Sequence, residues 1–81
     1  MRVSLEISLY PLDEKYITVI EDFINKVKQD KQLKVEVNVM STQIFGELSI
    51  ILDLLKKELP VVWEKYPAVF VMKWVGRDLT A

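Results

Sequence analysis

A chain of 81 residues holds a single domain, and one this short buries only about 60 to 65% of the surface its unfolded form exposes, so association with another copy is a route to stability worth testing. Its 51% hydrophobic and 28% charged residues exclude disorder, and a formal net charge of -1 without runs of one sign gives nonspecific nucleic-acid binding no electrostatic footprint. The absence of both Cys and His removes disulfides, thiol redox chemistry, the usual zinc sites and imidazole acid/base catalysis.

From Arg2 to Leu9, apolar Val3, Leu5, Ile7 and Leu9 alternate with Arg2, Ser4, Glu6 and Ser8, the pattern of a strand with one buried face. Pro11 is expected to stop it, and Asp13 stands where a carboxylate accepts from free backbone N–H groups at a helix start. Ile17, Ile20, Phe23, Ile24 and Val27 recur mostly at spacings of three and four and predict a helix from about Glu14 to about Gln29. The polar residues Gln29 to Gln32 break that stripe. Leu33, Val35, Val37 and Val39, set against Lys34, Glu36 and Asn38, then predict a second half-buried strand. Near Met40 and Ser41 the chain is expected to reverse into a short third strand, Thr42 to Phe45, ended by Gly46, which tolerates the backbone angles of a strand exit.

Leu48, Ile51, Leu52, Leu55, Leu59 and Val62 predict a second helix with Asp53, Lys56, Lys57 and Glu58 on its polar side and a kink or an end at Pro60. Ala68 to Val75 is rich in β-branched and aromatic residues and reads as a fourth strand. Phe70, Met72 and Trp74 should face the helices, because the other face carries Lys73 and a lysine is costly in a core. The tail from Gly76 to Ala81 is expected to fray. Met1 and Arg2 lead straight into strand alternation, not into the apolar run of a signal peptide, and no segment reaches membrane-spanning length, so the sequence predicts a cytoplasmic protein without a membrane partner.

This order, with two right-handed crossovers, predicts an α+β, ferredoxin-like βαββαβ fold: a four-stranded antiparallel sheet in order 4-1-3-2 with two helices on one face. The ferredoxin-like domain should span 1–76 and the C-terminal tail 77–81. The other sheet face is left open, with Glu6, Ser8 and Tyr10 from strand one beside Val69, Val71 and Lys73 from strand four, a mixed surface that suits a partner better than water.

Two isolated glycines, Gly46 and Gly76, make no phosphate loop. Glu21, Asp22, Asp53 and Glu58 read as solvated helix faces, so no catalytic residue, no metal ligand and no cofactor is expected, and the chain reads as no enzyme. Glu6 should pair with Lys73 across the sheet. Trp63, Tyr66, Phe70 and Trp74 read as core, and the central strands offer at most Tyr10 and Phe45 for base stacking, which argues against RNA. Ser8, Tyr10, Asn38, Ser41 and Thr42 carry uncharged hydrogen-bonding groups that can orient a heteroaromatic ligand. The topology gathers them at one edge of the sheet, where a second copy packed on the open face would turn a shallow surface into a pocket.

The segment Ser4-Leu5-Glu6-Ile7-Ser8-Leu9-Tyr10-Pro11-Leu12, followed by a helix, then Val39-Met40-Ser41-Thr42, and Gly46-Glu47-Leu48 opening the second helix, resembles the YkoF-type and related thiamine-binding family. The pieces Leu9 to Leu12 and Met40 to Thr42 are the most distinctive. Members of that family have ferredoxin-like domains that associate through their sheets, and several bind thiamine or its hydroxymethylpyrimidine part. The resemblance implies non-catalytic binding of thiamine or hydroxymethylpyrimidine, linked to thiamine salvage or transport. It further implies ligand contacts at Ser8, Tyr10, Ser41 and Thr42 and a homodimer or homotetramer formed through the sheet faces. The alternative is a protein-interaction or regulatory module that docks through the open face.

Overall fold

The computed structural model describes residues 1–81, in the order β1 (Arg2–Pro11), α1 (Tyr16–Lys28), β2 (Lys34–Val37), β3 (Thr42–Glu47), α2 (Leu48–Lys65) and β4 (Ala68–Val75). The four strands form one sheet in spatial order β2-β3-β1-β4, all neighbours antiparallel, which is the expected 4-1-3-2 order read from its other edge. The fold is therefore α+β and ferredoxin-like.

The core lies between the helices and one sheet face. Val3, Leu5, Ile7 and Leu9 are buried there, as the alternation requires, and pack with Ile44 of β3 and with Val19, Phe23, Val27, Ile51, Leu55 and Val62 of the helices. Phe70 of β4 joins from the edge, its ring tilted against Phe23 at 5.3 Å and edge-on to Trp63 at 5.4 Å. Such pairs add aromatic contact to the area they bury.

Several boundaries differ from the expectation for physical reasons. Strand β1 runs through Pro11, which pairs with Ala68 at its last position, where the missing N–H interrupts little of the ladder. Asp13 accepts from the Lys15 N–H at 2.8 Å, but in a turn before the helix, whose cap Lys15 gives no side-chain bond. On α1 the buried line is Val19, Phe23 and Val27, and Ile17, about 200° round the helix from Val19, is exposed. The alternation Leu33 to Val39 supports a strand only to Val37, and Val39 is fully exposed.

Gly46 does not end β3. It lies inside the strand with a negative φ, and a Cβ there would come within 2.5 Å of Leu33 Cδ2, so close packing is the reason for a glycine. Helix α2 continues past Pro60 to Lys65, held on the far side by buried Val62. Glu58 leaves the polar side: it is buried, with Lys57 Nζ at 3.9 Å. The tail is anchored and does not fray, as described below. No helix is long and apolar enough to cross a membrane.

Candidate functional site

The strand register sets one row of side chains across the open face. Glu6 of β1 stands opposite Lys73 of β4 and Gln43 of β3, and Gln43 stands opposite Glu36 of β2. Direct partners in an antiparallel ladder share a face, so Lys73, Glu6, Gln43 and Glu36 lie side by side. The next row is Val75, Ser4, Phe45 and Lys34. Lys73 Nζ lies 3.1 Å from Glu6 Oε1, as expected, and the Ser41 hydroxyl donates to Glu6 Oε2 at 3.1 Å. The lysine hydrogen bond, then that of Ser41, holds the Glu6 carboxyl below its ordinary value of 4.5.

Asn38 builds the turn that brings Ser41 to this row. Its Oδ1 accepts from the backbone N–H groups of Met40 and Ser41, both at 3.0 Å, so the chain reverses here and β2 stops. Ser8 closes the other side, its hydroxyl donating to the Met40 carbonyl at 3.3 Å. Ser8, Asn38 and Ser41 thus meet around the turn at Met40, and Ser41 alone of the three reaches Glu6. Tyr10 shares the face one alternation beyond Ser8 and is exposed. Thr42 requires a correction. It pairs with Ile7, a core residue, and is itself buried on the helix side, because the reversal at Asn38 sets the phase of β3 so that Gln43 and Phe45 face outward.

At the far end of this face the tail folds back over the sheet. Ser4 Oγ donates to the Arg77 carbonyl at 2.7 Å and accepts from the Leu79 N–H at 2.9 Å, while Arg2 Nε donates to Asp78 Oδ2 at 2.8 Å. Ser4, Phe45 and Asp78 are buried as a result, although the first two belong to the open face. The Thr80 hydroxyl and backbone N–H, with a smaller share from Arg2, hold the Asp78 carboxyl below its ordinary value of 3.8. A lowered folded-state value means that the stability Asp78 supplies is complete above its unfolded-state value and disappears as pH falls through the folded one. Urea midpoints should therefore hold steady from neutral pH down to about 5 and drop below about 4, and Asp78→Asn should flatten that acid limb. An acid limb unchanged in Asp78→Asn would refute the anchoring role.

Beside the tail lies a hollow of about 480 Å³, lined among others by Glu6, Gln43, Phe45, Lys73, Leu79 and Thr80, and none of Ser8, Tyr10, Asn38, Ser41 and Thr42 lines it. Gln43, Phe45 and the tail residues were not among the expected ligand contacts. The odd positions of β3 carried the signal for the first two, whereas the tail's return depends on Arg2 and Ser4 at the other end of the chain. A larger groove of about 790 Å³ runs between α2 and β4, but Lys56 is its only charged lining residue, so little there could orient a polar ligand. The hollow can hold a flat polar molecule: Phe45 gives an apolar floor, Gln43 an amide that donates and accepts, and Glu6 an ionised carboxylate with lone pairs beyond those used by Lys73 and Ser41.

The profile of the YKOF-related family matches residues 2–72. The chain belongs to the YKOF-related family. Among solved structures, this YKOF-related chain is similar to a Thermotoga maritima protein provisionally assigned to thiamine biosynthesis or salvage, with a TM-score of 0.86, 22% identity, and coverage of 95% of this chain and 85% of that one. It is also similar to protein SP2199 of Streptococcus pneumoniae, with a TM-score of 0.87, 20% identity and coverage of 100% and 92%. A hypothetical protein of Methanocaldococcus jannascii gives a TM-score of 0.81, 28% identity and coverage of 96% and 82%. No curated protein matches the chain. The likenesses at 20 and 22% identity bear on the fold, which they share with this YKOF-related protein over 100 and 95% of its length.

Proposed function

We propose that this YKOF-related protein is a non-catalytic binder of thiamine or its hydroxymethylpyrimidine part, with the ligand in the hollow between the tail and the row of Glu6, Gln43 and Lys73. The observation that carries the reading is an ionised Glu6 beside Gln43 and above Phe45. An aminopyrimidine presents amino N–H donors and ring-nitrogen acceptors in one plane, which a carboxylate and an amide can meet together. The thiazolium of thiamine carries a positive charge, and Glu6 and Glu36 stand in the same row to receive it. The provisional assignment of the Thermotoga maritima structure to thiamine biosynthesis or salvage supports this ligand class.

The hollow is open, so the reading includes a cover. Tyr10, Val69 and Val71 are exposed beside it on the same face, and a second copy laid sheet to sheet would bury them and roof the ligand, giving a homodimer or, with a further contact, a homotetramer. The ligand is taken from the cytoplasm and released unchanged; no cofactor or metal enters the role. Titration calorimetry with thiamine and separately with hydroxymethylpyrimidine tests the proposal. Saturable heat with at least one is expected, and no heat with either at about 1 mM ligand, near the weak limit of useful affinity, would refute it.

A further inference from the structure

The helix layer carries a polar recess of its own. Each helix runs back against the strand before it, and β1 and β3 are antiparallel, so α1 and α2 also oppose each other. Two hollows follow the groove between them, one of about 210 Å³ and one of about 480 Å³, and Lys26, Gln29 and Glu58 line both. Neither shares a lining residue with the hollow beside the tail, so the groove is independent of the sheet-face site.

Glu58 is the unusual residue there. It is 4% exposed, yet no hydrogen bond reaches its carboxyl, and its one ionic neighbour, Lys57 Nζ, stands 3.9 Å away on a side chain that lies mostly in solvent. A buried acid with so little compensation costs the fold stability. No fully enclosed side-chain oxygen of the protein lacks a partner, so the unbonded carboxyl of Glu58 opens onto the groove. Lys26 lines the same two hollows from α1, but its ammonium is in no ion pair, with Glu58 or with any other acid. An anion and a cation therefore border one recess without meeting.

We propose that the groove between α1 and α2 binds a free α-amino acid with an apolar side chain, its ammonium on Glu58 and its carboxylate on Lys26. The two charges of such a molecule sit on neighbouring atoms, which suits two protein charges that share a recess but stand too far apart to pair directly. The ammonium supplies the donors that the Glu58 carboxyl lacks, and the Gln29 amide can serve either end. Phe23, Val61 and Val62 line the smaller hollow and give the side chain an apolar bed; Val61 is exposed without it. At about 210 Å³ that hollow falls below the about 300 Å³ of sites for drug-sized ligands, which favours a molecule of amino-acid size. A simple anion would meet Glu58 in the same recess, and a metal ion would meet Lys26 where no group of three acidic ligands exists. Asp22 and Lys65 line the far end of the smaller hollow, with charges that cancel, so they favour neither a net cation nor a net anion.

NMR titration of the isotope-labelled full chain tests it, with three probes of one shape: leucine, 3-methylbutylamine, which lacks the carboxylate, and 4-methylpentanoate, which lacks the ammonium. Leucine should shift the amides of α1 from Val19 to Gln29 and of α2 from Glu58 to Tyr66, with saturation below about 10 mM, and each of the other two should bind at least about tenfold more weakly. Glu58→Gln should weaken leucine by about tenfold or more and Lys26→Gln by a smaller factor, since the lysine keeps more of its water. If the glutamine variant at 58 does not fold, Lys26→Gln and the two incomplete probes still decide. Three results would overturn the proposal: no saturable shift with leucine, shifts confined to the sheet face, or 4-methylpentanoate binding as well as leucine, which would make the site a pair of surface lysines. Leucine binding unchanged in Glu58→Gln would overturn it too. None of these results bears on thiamine in the sheet-face hollow.

Discussion

Ile44→Ala is expected to destabilise the domain by about 2 to 5 kcal/mol, because it opens a cavity where the core has no slack. Ile44 is 0% exposed and stands on β3 between Leu5 of β1 and Val35 of β2, beneath both helices. A domain of this size has about 5 to 15 kcal/mol in total, so the loss takes a large share of it. Thermal melts followed by circular dichroism should show a fall in Tm of about 10 to 30 °C. Val39→Ala provides the contrast. Alternation from Leu33 places Val39 in the same half-buried series as Val35, yet its side chain is fully exposed, and its truncation should change stability by less than about 0.5 kcal/mol. Equal losses at the two positions would mean that β2 extends through Val39 and that the turn at Asn38 is misplaced.

That contrast also marks where sequence reasoning reached its limit. The alternation of β1 and the stripe of α2 placed the core and, with the chirality of the crossovers, the whole sheet order, because period and handedness are local properties of the chain. The end of β2 was hidden, since hydrophobic alternation continues past the point where Asn38 Oδ1 captures two backbone N–H groups and turns the chain. Thr42 stands among the expected ligand contacts for its hydroxyl at the start of β3 and for the Met40 to Thr42 piece, whereas the strand register turns it to the helix side and leaves Gln43 and Phe45 outward. Pro60 reads as a helix breaker locally, but buried Val62 and the Trp63 bond to Ala68 hold the last turn of α2 in place. The tail is polar by composition, and what anchors it lies on β1, so nothing near it in sequence announces the Arg2 to Asp78 pair.

Glu6→Gln is expected to weaken thiamine binding by about tenfold or more while leaving the fold intact, because it keeps the shape of the side chain and removes the charge that the proposed site depends on. The pair Glu6 makes with Lys73 is exposed on the lysine side, so losing it should move the melting curve little, and the calorimetric change can be assigned to the site. Gln43→Ala should weaken binding by a smaller factor, since a neutral amide contributes less than a carboxylate to a cation. Thr42→Val should leave affinity unchanged, because Thr42 lies on the helix side of β3. The pattern separates two explanations of any binding that is observed. If Glu6→Gln binds like the wild type while Thr42→Val is impaired, the ligand enters from the helix side and the hollow is not the site. If both bind normally and Trp74→Ala is impaired, the groove between α2 and β4 holds the ligand, and packing on aromatic rings replaces the carboxylate as the source of affinity.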